Sequence, residues 1–156
     1  MSGRDAPDSY LVDSNIFLRV IVRDDQKTWQ DCVGIVSAIE QNQLTAYIPM
    51  IVVAEVQFVL KSFYGLQRQS LVKALMGIAA MKNLEIVDDL SYALAVKLFA
   101  DHNVKFVDCL LASSRCIQER NAAILSFDRD FDKLGVRRVE PRDLLKEVST
   151  VSSPKS

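Results

Sequence analysis

The chain contains a single histidine, His102, among its 156 residues. A catalytic centre that pairs a serine or cysteine nucleophile with a histidine base would depend on this one side chain. His102 lies between Asp101 and Asn103 at the predicted end of a helix, where a solvated histidine is the simpler interpretation. The glycine-rich patterns GxxxxGK[ST], GxGxxG and GxSxG are also missing. These absences argue against a phosphate-binding loop, a dinucleotide fold and a serine-hydrolase elbow.

Cysteine is scarce as well, with three residues, Cys32, Cys109 and Cys116, and no CxxC pair. An odd number of cysteines in apolar segments predicts reduced core thiols and therefore a cytoplasmic protein. A zinc site at Cys109 and Cys116 would need two further soft ligands. No uncharged apolar run reaches about 18 residues, and the first residues lack the order of a signal peptide, so we expect no membrane span.

Excess charge of either sign is missing too, since the formal net charge is -1 and the pI is about 5.8. The overall electrostatic field therefore does not favour nucleic acid, and any such contact must be local. With 49% hydrophobic residues, the chain suits one compact domain, which we place at residues 10–148. Residues 1–9 and 149–156 are polar and are predicted to be disordered.

Short apolar runs alternate with segments of helical periodicity. The predicted strands are 10–12, 44–48, 84–87, 122–127 and 136–139. The predicted helices are 15–22, 28–41 with Thr28 as N-cap, 51–64, 67–81, one from Asp89 or Ser91 to His102, 108–120, and one from Pro141. Because the strands are apolar throughout, they favour a mainly parallel sheet with helices on both faces. The predicted fold is thus a three-layer α/β/α sandwich.

Four acidic residues lie within or at the edge of apolar segments: Asp13, Glu55, Asp108 and Asp128. Asp13 and Asp128 follow predicted strands, and ligands of open parallel sheets bind beyond the carboxyl ends of strands. Buried carboxylates that converge repel one another unless a cation or hydrogen bonds compensate, and their oxygen atoms suit Mg²⁺ or Mn²⁺. Each acid alone also has an ordinary explanation, namely helix capping for Asp13 and Asp108, a turn for Asp128, and an exposed helix rim for Glu55.

Four segments together resemble the PIN-domain family, and most of all the toxins of VapBC-type toxin–antitoxin systems. They are Leu11-Val12-Asp13-Ser14-Asn15, the apolar helix with Glu55, Phe106-Val107-Asp108 before Cys109, and Leu125-Ser126-Phe127-Asp128-Arg129-Asp130-Phe131. The resemblance covers Tyr10 to Leu145. It implies an α/β/α fold and Mg²⁺- or Mn²⁺-dependent cleavage of RNA by water, which leaves a 5′-phosphate and a 3′-hydroxyl.

The resemblance also implies roles for individual residues. Asp13, Glu55, Asp108 and Asp128 would be the catalytic acids, with Asp13, Asp108 and Asp128 on one or two metal ions and Asp130 as the second choice for the fourth acid. Ser14, Asn15 and Ser126 would support the site. Independently of the resemblance, a group of carboxylates repels RNA until metal binds, so nearby cations would be needed to hold the RNA phosphates. The candidates are Arg19, Arg23, Arg115 and Arg129, which could equally be ordinary surface residues.

Two helical segments, 51–60 and 71–81, are more apolar than a small core requires. They predict a homodimer interface or a groove for the helix of a VapB-like antitoxin, although plain core packing accounts for them equally well. Two other functions stay open. One is a catalytically silent PIN-like module for RNA binding or assembly. The other is a phosphatase of the haloacid dehalogenase type, which is disfavoured because Asn15 replaces the usual second Asp after Asp13.

Overall fold

Five parallel strands form a single sheet in the structure, a computed structural model that describes residues 5–151. The strands are β1 (Ser9–Val12), β2 (Ala46–Pro49), β3 (Leu84–Val87), β4 (Ala122–Leu125) and β5 (Arg138–Val139). Their order in the sheet is β3-β2-β1-β4-β5, and every neighbouring pair is parallel. Each residue of β1 and β4 is buried, as expected for inner strands of a sheet that is covered on both faces.

Helices connect the strands and cover the sheet. They are α1 (Ser14–Val22), α2 (Gln26–Glu40), α3 (Met50–Ser62), α4 (Arg68–Ala79), α5 (Tyr92–Asp101), α6 (Phe106–Ala112), α7 (Arg115–Glu119), α8 (Asp130–Lys133) and α9 (Pro141–Val151). This arrangement confirms the predicted α/β sandwich with a parallel central sheet. Within residues 5–151, no helix combines the length and the apolar character that crossing a bilayer would require.

The hydrophobic core centres on β1 and β4. Leu11, Ile124 and Phe131 have no exposed surface, and they pack in one cluster with side chains of the flanking helices. The three cysteines are free thiols in this buried environment. Truncating one of these large core side chains to alanine should lower the free energy of unfolding by about 2–5 kcal/mol. The core therefore holds the carboxyl ends of β1 and β4 in fixed positions.

Two local predictions about helix boundaries are wrong. Helix α2 begins at Gln26 rather than at Thr28, because the carboxylate of Asp25 accepts hydrogen bonds from the backbone N–H groups of Lys27 and Thr28, at 3.0 and 3.2 Å. The predicted helix 108–120 is two helices, α6 and α7. Ser114 caps α7 between them, and its Oγ also donates to Asp89 at 2.8 Å.

Near both ends of the described residues, the structure has regular elements where disorder is predicted. Ser9 already belongs to β1, and α9 continues to Val151 rather than ending at residue 148. The disorder predicted for residues 1–4 and 152–156 lies outside the described residues. Ser91, one of the two predicted caps, does begin α5, since its Oγ accepts a hydrogen bond from the N–H of Leu94 at 3.3 Å.

Candidate metal centre

The candidate site lies at the carboxyl edge of β1 and β4, where the order of strands reverses. The chain proceeds from β1 outward to β2 and β3, and then returns to β4 on the other side of β1. Val12 pairs in register with Leu125, so the residues that follow, Asp13 and Ser126, leave the sheet side by side. Such a switch point is where open α/β sheets generally bind ligands.

Asp13 is buried, with only 4% of its surface exposed, and both of its carboxylate oxygens are hydrogen-bonded. Its Oδ1 accepts from the N–H of Ser14 at 2.7 Å, which makes Asp13 the N-cap of α1. Its Oδ2 accepts from the Oγ of Ser126 at 2.6 Å and from Nδ2 of Asn15 at 3.3 Å. Asp13 therefore caps α1 and also belongs to the acid cluster, a name used here for Asp13, Glu55, Asp108, Asp128 and Asp130.

Glu55 and Asp108 each carry a buried carboxylate oxygen without a hydrogen-bond donor. The Oγ of Ser14 donates to Oε1 of Glu55 at 3.1 Å, but Oε2 has no partner among the described residues. Asp108, in the first turn of α6, is 4% exposed, and its Oδ2 likewise has none. A buried carboxylate oxygen without a donor destabilises a protein unless a cation or water compensates.

Asp128 and Asp130 both approach Asp108. Carboxylate oxygens of these three residues lie within 4.8 Å of one another, a separation that one metal ion could bridge. The N–H of Asp130 donates to Oδ1 of Asp128 at 2.9 Å, so the two acids are also joined directly. Asp130 in addition forms an ion pair with Lys133, with 2.7 Å between Nζ and Oδ1.

The electrostatics of the site show mutual repulsion among the acids. Burial, followed by the charges of Asp128 and Asp13, raises the pKa of Asp108 from 3.8 to about 7. The pKa of Asp13 is raised chiefly by burial, against which the hydrogen bond from Ser126 acts. Burial and then the charge of Asp13 raise the pKa of Glu55. A bound cation would reduce this repulsion, because its positive charge favours the ionised carboxylates.

The donor set fits a hard divalent ion. Every candidate ligand atom of the group Asp108, Asp128 and Asp130 is a carboxylate oxygen, and Asp13 and Glu55 are not part of this group. Oδ2 of Asp108 within the group, and Oε2 of Glu55 outside it, lack any other partner within the described part of the chain. Mg²⁺ and Mn²⁺ prefer oxygen ligands of this kind.

The predicted supporting residues Ser14, Asn15 and Ser126 all contact the acid cluster. Asn15 donates from Nδ2 to the Oγ of Ser126 at 3.1 Å, and that same oxygen accepts from the N–H of Asp128 at 3.0 Å. Ser126, which is fully buried, therefore links Asp13 to the segment that carries Asp128.

Three of the four predicted phosphate-binding arginines have partners outside the acid cluster. Arg19 pairs with Asp24, with 2.8 Å between Nη1 and Oδ1. The guanidinium of Arg23 lies 4.2 Å from the ring centroid of Trp29. Arg115 forms an ion pair with Glu119, with 3.6 Å between Nε and Oε2. Arg129, the fourth, is an exposed neighbour of Asp128.

Two basic residues near the site were missed in the sequence. Nζ of Lys105 lies 3.9 Å from Oδ2 of Asp128. Arg138 is more enclosed, with 12% of its side chain exposed, and it donates to the backbone oxygen of Ser126 at 3.1 Å. Lys105 precedes Asp108 by three residues, but its ion pair is with Asp128, 23 positions further along the chain, so local spacing does not identify it. No local pattern identifies Arg138.

The sequence profile of the PIN domain matches residues 10–137. No curated protein sequence matches the chain significantly. Among solved structures, the chain is similar to PAE2754 from Pyrobaculum aerophilum, at 14% identity and a TM-score of 0.65, over 95% of this chain and 99% of that one.

Two further solved structures are similar to this chain. One is a chain of VapBC2 from Rickettsia felis, a complex described as bound to a DNA fragment from its promoter, with 23% identity, a TM-score of 0.59, and coverage of 84% of this chain and 97% of that chain. The other is VapC20 from Mycobacterium tuberculosis, described as a toxin that cleaves the sarcin-ricin loop. It has 14% identity and a TM-score of 0.58, with 84% of this chain and 98% of that chain covered. At such identities, these similarities show a shared fold.

Proposed function

Because the chain belongs to the PIN-domain family, we propose that it is a metal-dependent endoribonuclease. The observation that carries the proposal is the pair of buried carboxylate oxygens without a donor, Oε2 of Glu55 and Oδ2 of Asp108, within a cluster of acids at the switch point of the sheet. Helix capping alone would not explain buried carboxylate oxygens that no hydrogen-bond donor compensates.

Asp13, Asp108 and Asp128 would hold Mg²⁺ or Mn²⁺, with Asp130 as the alternative to Asp128. When bound, the ion supplies positive charge that stabilises the negative charge developing on the scissile phosphate. Asp13 is held by Ser14 and Ser126, so its carboxylate needs little reorganisation. Fixed ligands of this kind favour a defined coordination geometry.

Glu55 is the candidate general base. The hydrogen bond from Ser14 fixes its Oε1, and burial raises its pKa, which strengthens it as a proton acceptor. Water would form the new bond to phosphorus as Glu55 takes its proton, and the bond from phosphorus to the 3′-oxygen would break. The leaving oxygen takes a proton from solvent, so the products carry a 5′-phosphate and a 3′-hydroxyl.

We also propose that the protein is the toxin of a toxin–antitoxin pair. Its similarity to a chain of a VapBC complex supports this, and so does a groove of about 540 Å³ among α1, α2 and α4. Apolar side chains line most of the groove, including Phe17, Val20, Ile21 and Ile78. The amphipathic helix of a VapB-like antitoxin has the shape and the apolar face that such a groove accepts. The buried free thiols fit a cytoplasmic location.

A homodimer is the second part of the partner proposal. Tyr92, Val96 and Phe99 follow a spacing of four and three residues along α5, and their exposed fractions are 73, 43 and 51%. They form an apolar stripe on one face of the helix, and Ile86 of the edge strand β3 is also exposed, at 57%. A second copy of the chain would cover this stripe.

Cleavage of an end-labelled single-stranded RNA of mixed sequence tests the nuclease proposal. The purified protein is assayed with Mg²⁺ or Mn²⁺ and with EDTA, beside the variants Asp13→Asn and Asp108→Asn. Asp143→Asn is the matched control, since Asp143 is an exposed acid of α9 that pairs with Lys146. Metal-dependent cleavage that both site variants lose and the control retains supports the proposal.

Cleavage that survives both site variants would sink the assignment of the acids. RNA binding without cleavage, on a range of RNA substrates and with both metals, would instead favour the silent binding module. The ends of the products decide the chemistry, because a 2′,3′-cyclic phosphate would show attack by the ribose hydroxyl rather than by water.

A further inference from the structure

Lys105 is a basic side chain that faces the acid cluster. It immediately precedes α6, and its Nζ lies 3.9 Å from Oδ2 of Asp128. Its side chain is 70% exposed, whereas that of Asp128 is 28% exposed. The ammonium group therefore lies at the mouth of the site, between the buried carboxylates and solvent.

The charge of Lys105 acts on the whole cluster rather than on one acid. It lowers the pKa of Asp13, of Glu55 and of Asp108, against the burial that raises each of them. The other basic groups of this region have closer acidic partners, one of which, Asp130, itself belongs to the acid group. Lys133 pairs with Asp130 at 2.7 Å, and Arg138 pairs with Asp132 and Glu140 at 3.1 and 2.9 Å.

The contact between Lys105 and Asp128 is loose enough to break. A separation of 3.9 Å is too long for a strong hydrogen bond, and ion pairs near the surface contribute little to stability. A lysine side chain is long and flexible, and its ammonium group binds phosphate as a point charge. When a divalent cation neutralises the acids, the electrostatic attraction between the ammonium group of Lys105 and the carboxylate of Asp128 weakens.

We propose that Lys105 has two alternating partners, serving as the counterion of the acid cluster before metal binds and as a ligand of an RNA phosphate afterwards. The inference rests on the proposed nuclease function, and it adds a residue that recognises the substrate. It makes two predictions of opposite sign. Removal of the ammonium group should strengthen metal binding and weaken RNA binding.

The first test measures Mn²⁺ binding to RNA-free protein by calorimetry, so it needs no catalytic activity. Lys105→Gln should bind Mn²⁺ about three- to fivefold more tightly than the unchanged protein, because a like charge near the ion is gone. Lys146→Gln is the matched control. Lys146 pairs with Asp143 at 3.8 Å and is 72% exposed, but both residues belong to α9. Lys105→Arg keeps the charge and should retain the original affinity.

The second test measures binding of a single-stranded RNA oligonucleotide in the cleavage-impaired Glu55→Gln background, with Mn²⁺ at a saturating concentration and over a range of salt concentrations. Adding Lys105→Gln should weaken binding about threefold or more, and the slope of log K against log salt should fall in magnitude by about 0.7, the share of one phosphate contact. Adding Lys146→Gln should change neither quantity.

A merely structural role for Lys105 would lower both affinities together or leave both unchanged, and either result would overturn the inference. Equal RNA binding with and without Lys105 would overturn it as well, including the case in which neither protein binds. The proposed function fails separately, if the unchanged protein neither binds Mn²⁺ nor cleaves RNA. If it does both, and Lys105→Gln behaves as Lys146→Gln does, only the role of Lys105 is refuted.

Discussion

The Oγ of Ser126 donates a 2.6 Å hydrogen bond to Oδ2 of Asp13, and this contact joins the carboxyl ends of β1 and β4. Ser126 is fully buried, and its Oγ also accepts hydrogen bonds from Asn15 and from the N–H of Asp128. One hydroxyl therefore sets the orientation of Asp13 relative to the segment that carries Asp128.

Replacing Ser126 with alanine should destabilise the protein and impair the site. The variant Ser126→Ala removes one donor from the carboxylate of Asp13 and one acceptor from Asn15 and Asp128, which should lower the free energy of unfolding by about 1–2 kcal/mol. Urea denaturation measures this change, and the RNA cleavage assay should show a further loss at equal folded fraction. Ser37→Ala is the control, because Ser37 accepts an exposed hydrogen bond from Gln41 on α2. Equal effects of the two changes would contradict this role of Ser126.

The stability of the metal-free protein should fall as pH rises towards and through 7. The pKa of Asp108 is raised by burial from 3.8 to about 7, so the folded state binds this proton more tightly than the unfolded chain does. The resulting stabilisation is complete below the unfolded pKa, and it is lost as pH rises through the folded pKa. Asp108→Asn should flatten the decline of unfolding free energy between about pH 5.5 and pH 8. Parallel curves for the two proteins would refute the shift.

Removal of divalent metal should lower the thermal midpoint of the protein. At free Mn²⁺ roughly 100 times the dissociation constant, binding to the folded state adds about 2.7 kcal/mol of stability. Differential scanning calorimetry with Mn²⁺ or EDTA measures the effect. Asp108→Asn should lose most of it, since Asp108 belongs to the three-residue acid group, whereas the α9 variant Asp143→Asn should keep it. An equal thermal midpoint with Mn²⁺ and with EDTA would contradict the proposed metal centre.

Asp128 should matter more for cleavage than Asp130. The charge of Asp128 acts on Asp13, Glu55 and Asp108, whereas Asp130 is paired with Lys133 at 2.7 Å. We therefore expect Asp128→Asn to lower the cleavage rate by at least about 100-fold and Asp130→Asn by about tenfold or less. The two single variants, assayed at saturating Mn²⁺, give the comparison directly. The reverse order would identify Asp130 as the fourth acid.

Arg138 should be required for the geometry of the segment between β4 and α8. Its side chain is 12% exposed, and it donates to the backbone oxygen of Ser126 and to the carboxylates of Asp132 and Glu140. The single ammonium group of lysine cannot replace the several N–H donors of the planar guanidinium. Arg138→Lys should therefore lower the free energy of unfolding by about 1–2 kcal/mol and weaken Mn²⁺ binding. Arg142→Lys, at a more exposed pair with Asp31, should do neither. Normal Mn²⁺ affinity in Arg138→Lys would exclude this role.

Much of the fold could be predicted from local pattern. The apolar runs around β1 and β4 and the helical periodicity of α3 show which side chains are buried. These patterns can be read from residues that are close together in the sequence. Of the two wrong helix boundaries, the start of α2 depended on the neighbouring cap Asp25, whereas the break between α6 and α7 involved a contact between distant segments. The break between α6 and α7 coincides with Ser114, whose Oγ bonds to Asp89, a residue 25 positions away. Nothing within the segment 108–120 contains that information.

The sequence by itself determined the alternation of strands and helices and the order of the acids Asp13, Glu55, Asp108 and Asp128, because these depend on residue type and local spacing. Only the tertiary structure decided which groups meet. It brought Asp130 as well as Asp128 to Asp108, placed Lys105 over the cluster, and gave Arg19 and Arg115 partners elsewhere. The physical reason is the distance along the sequence over which each feature is determined. Hydrophobic periodicity is set within a few turns of chain, whereas carboxylate convergence and charge pairing depend on strand order and register across more than 100 residues.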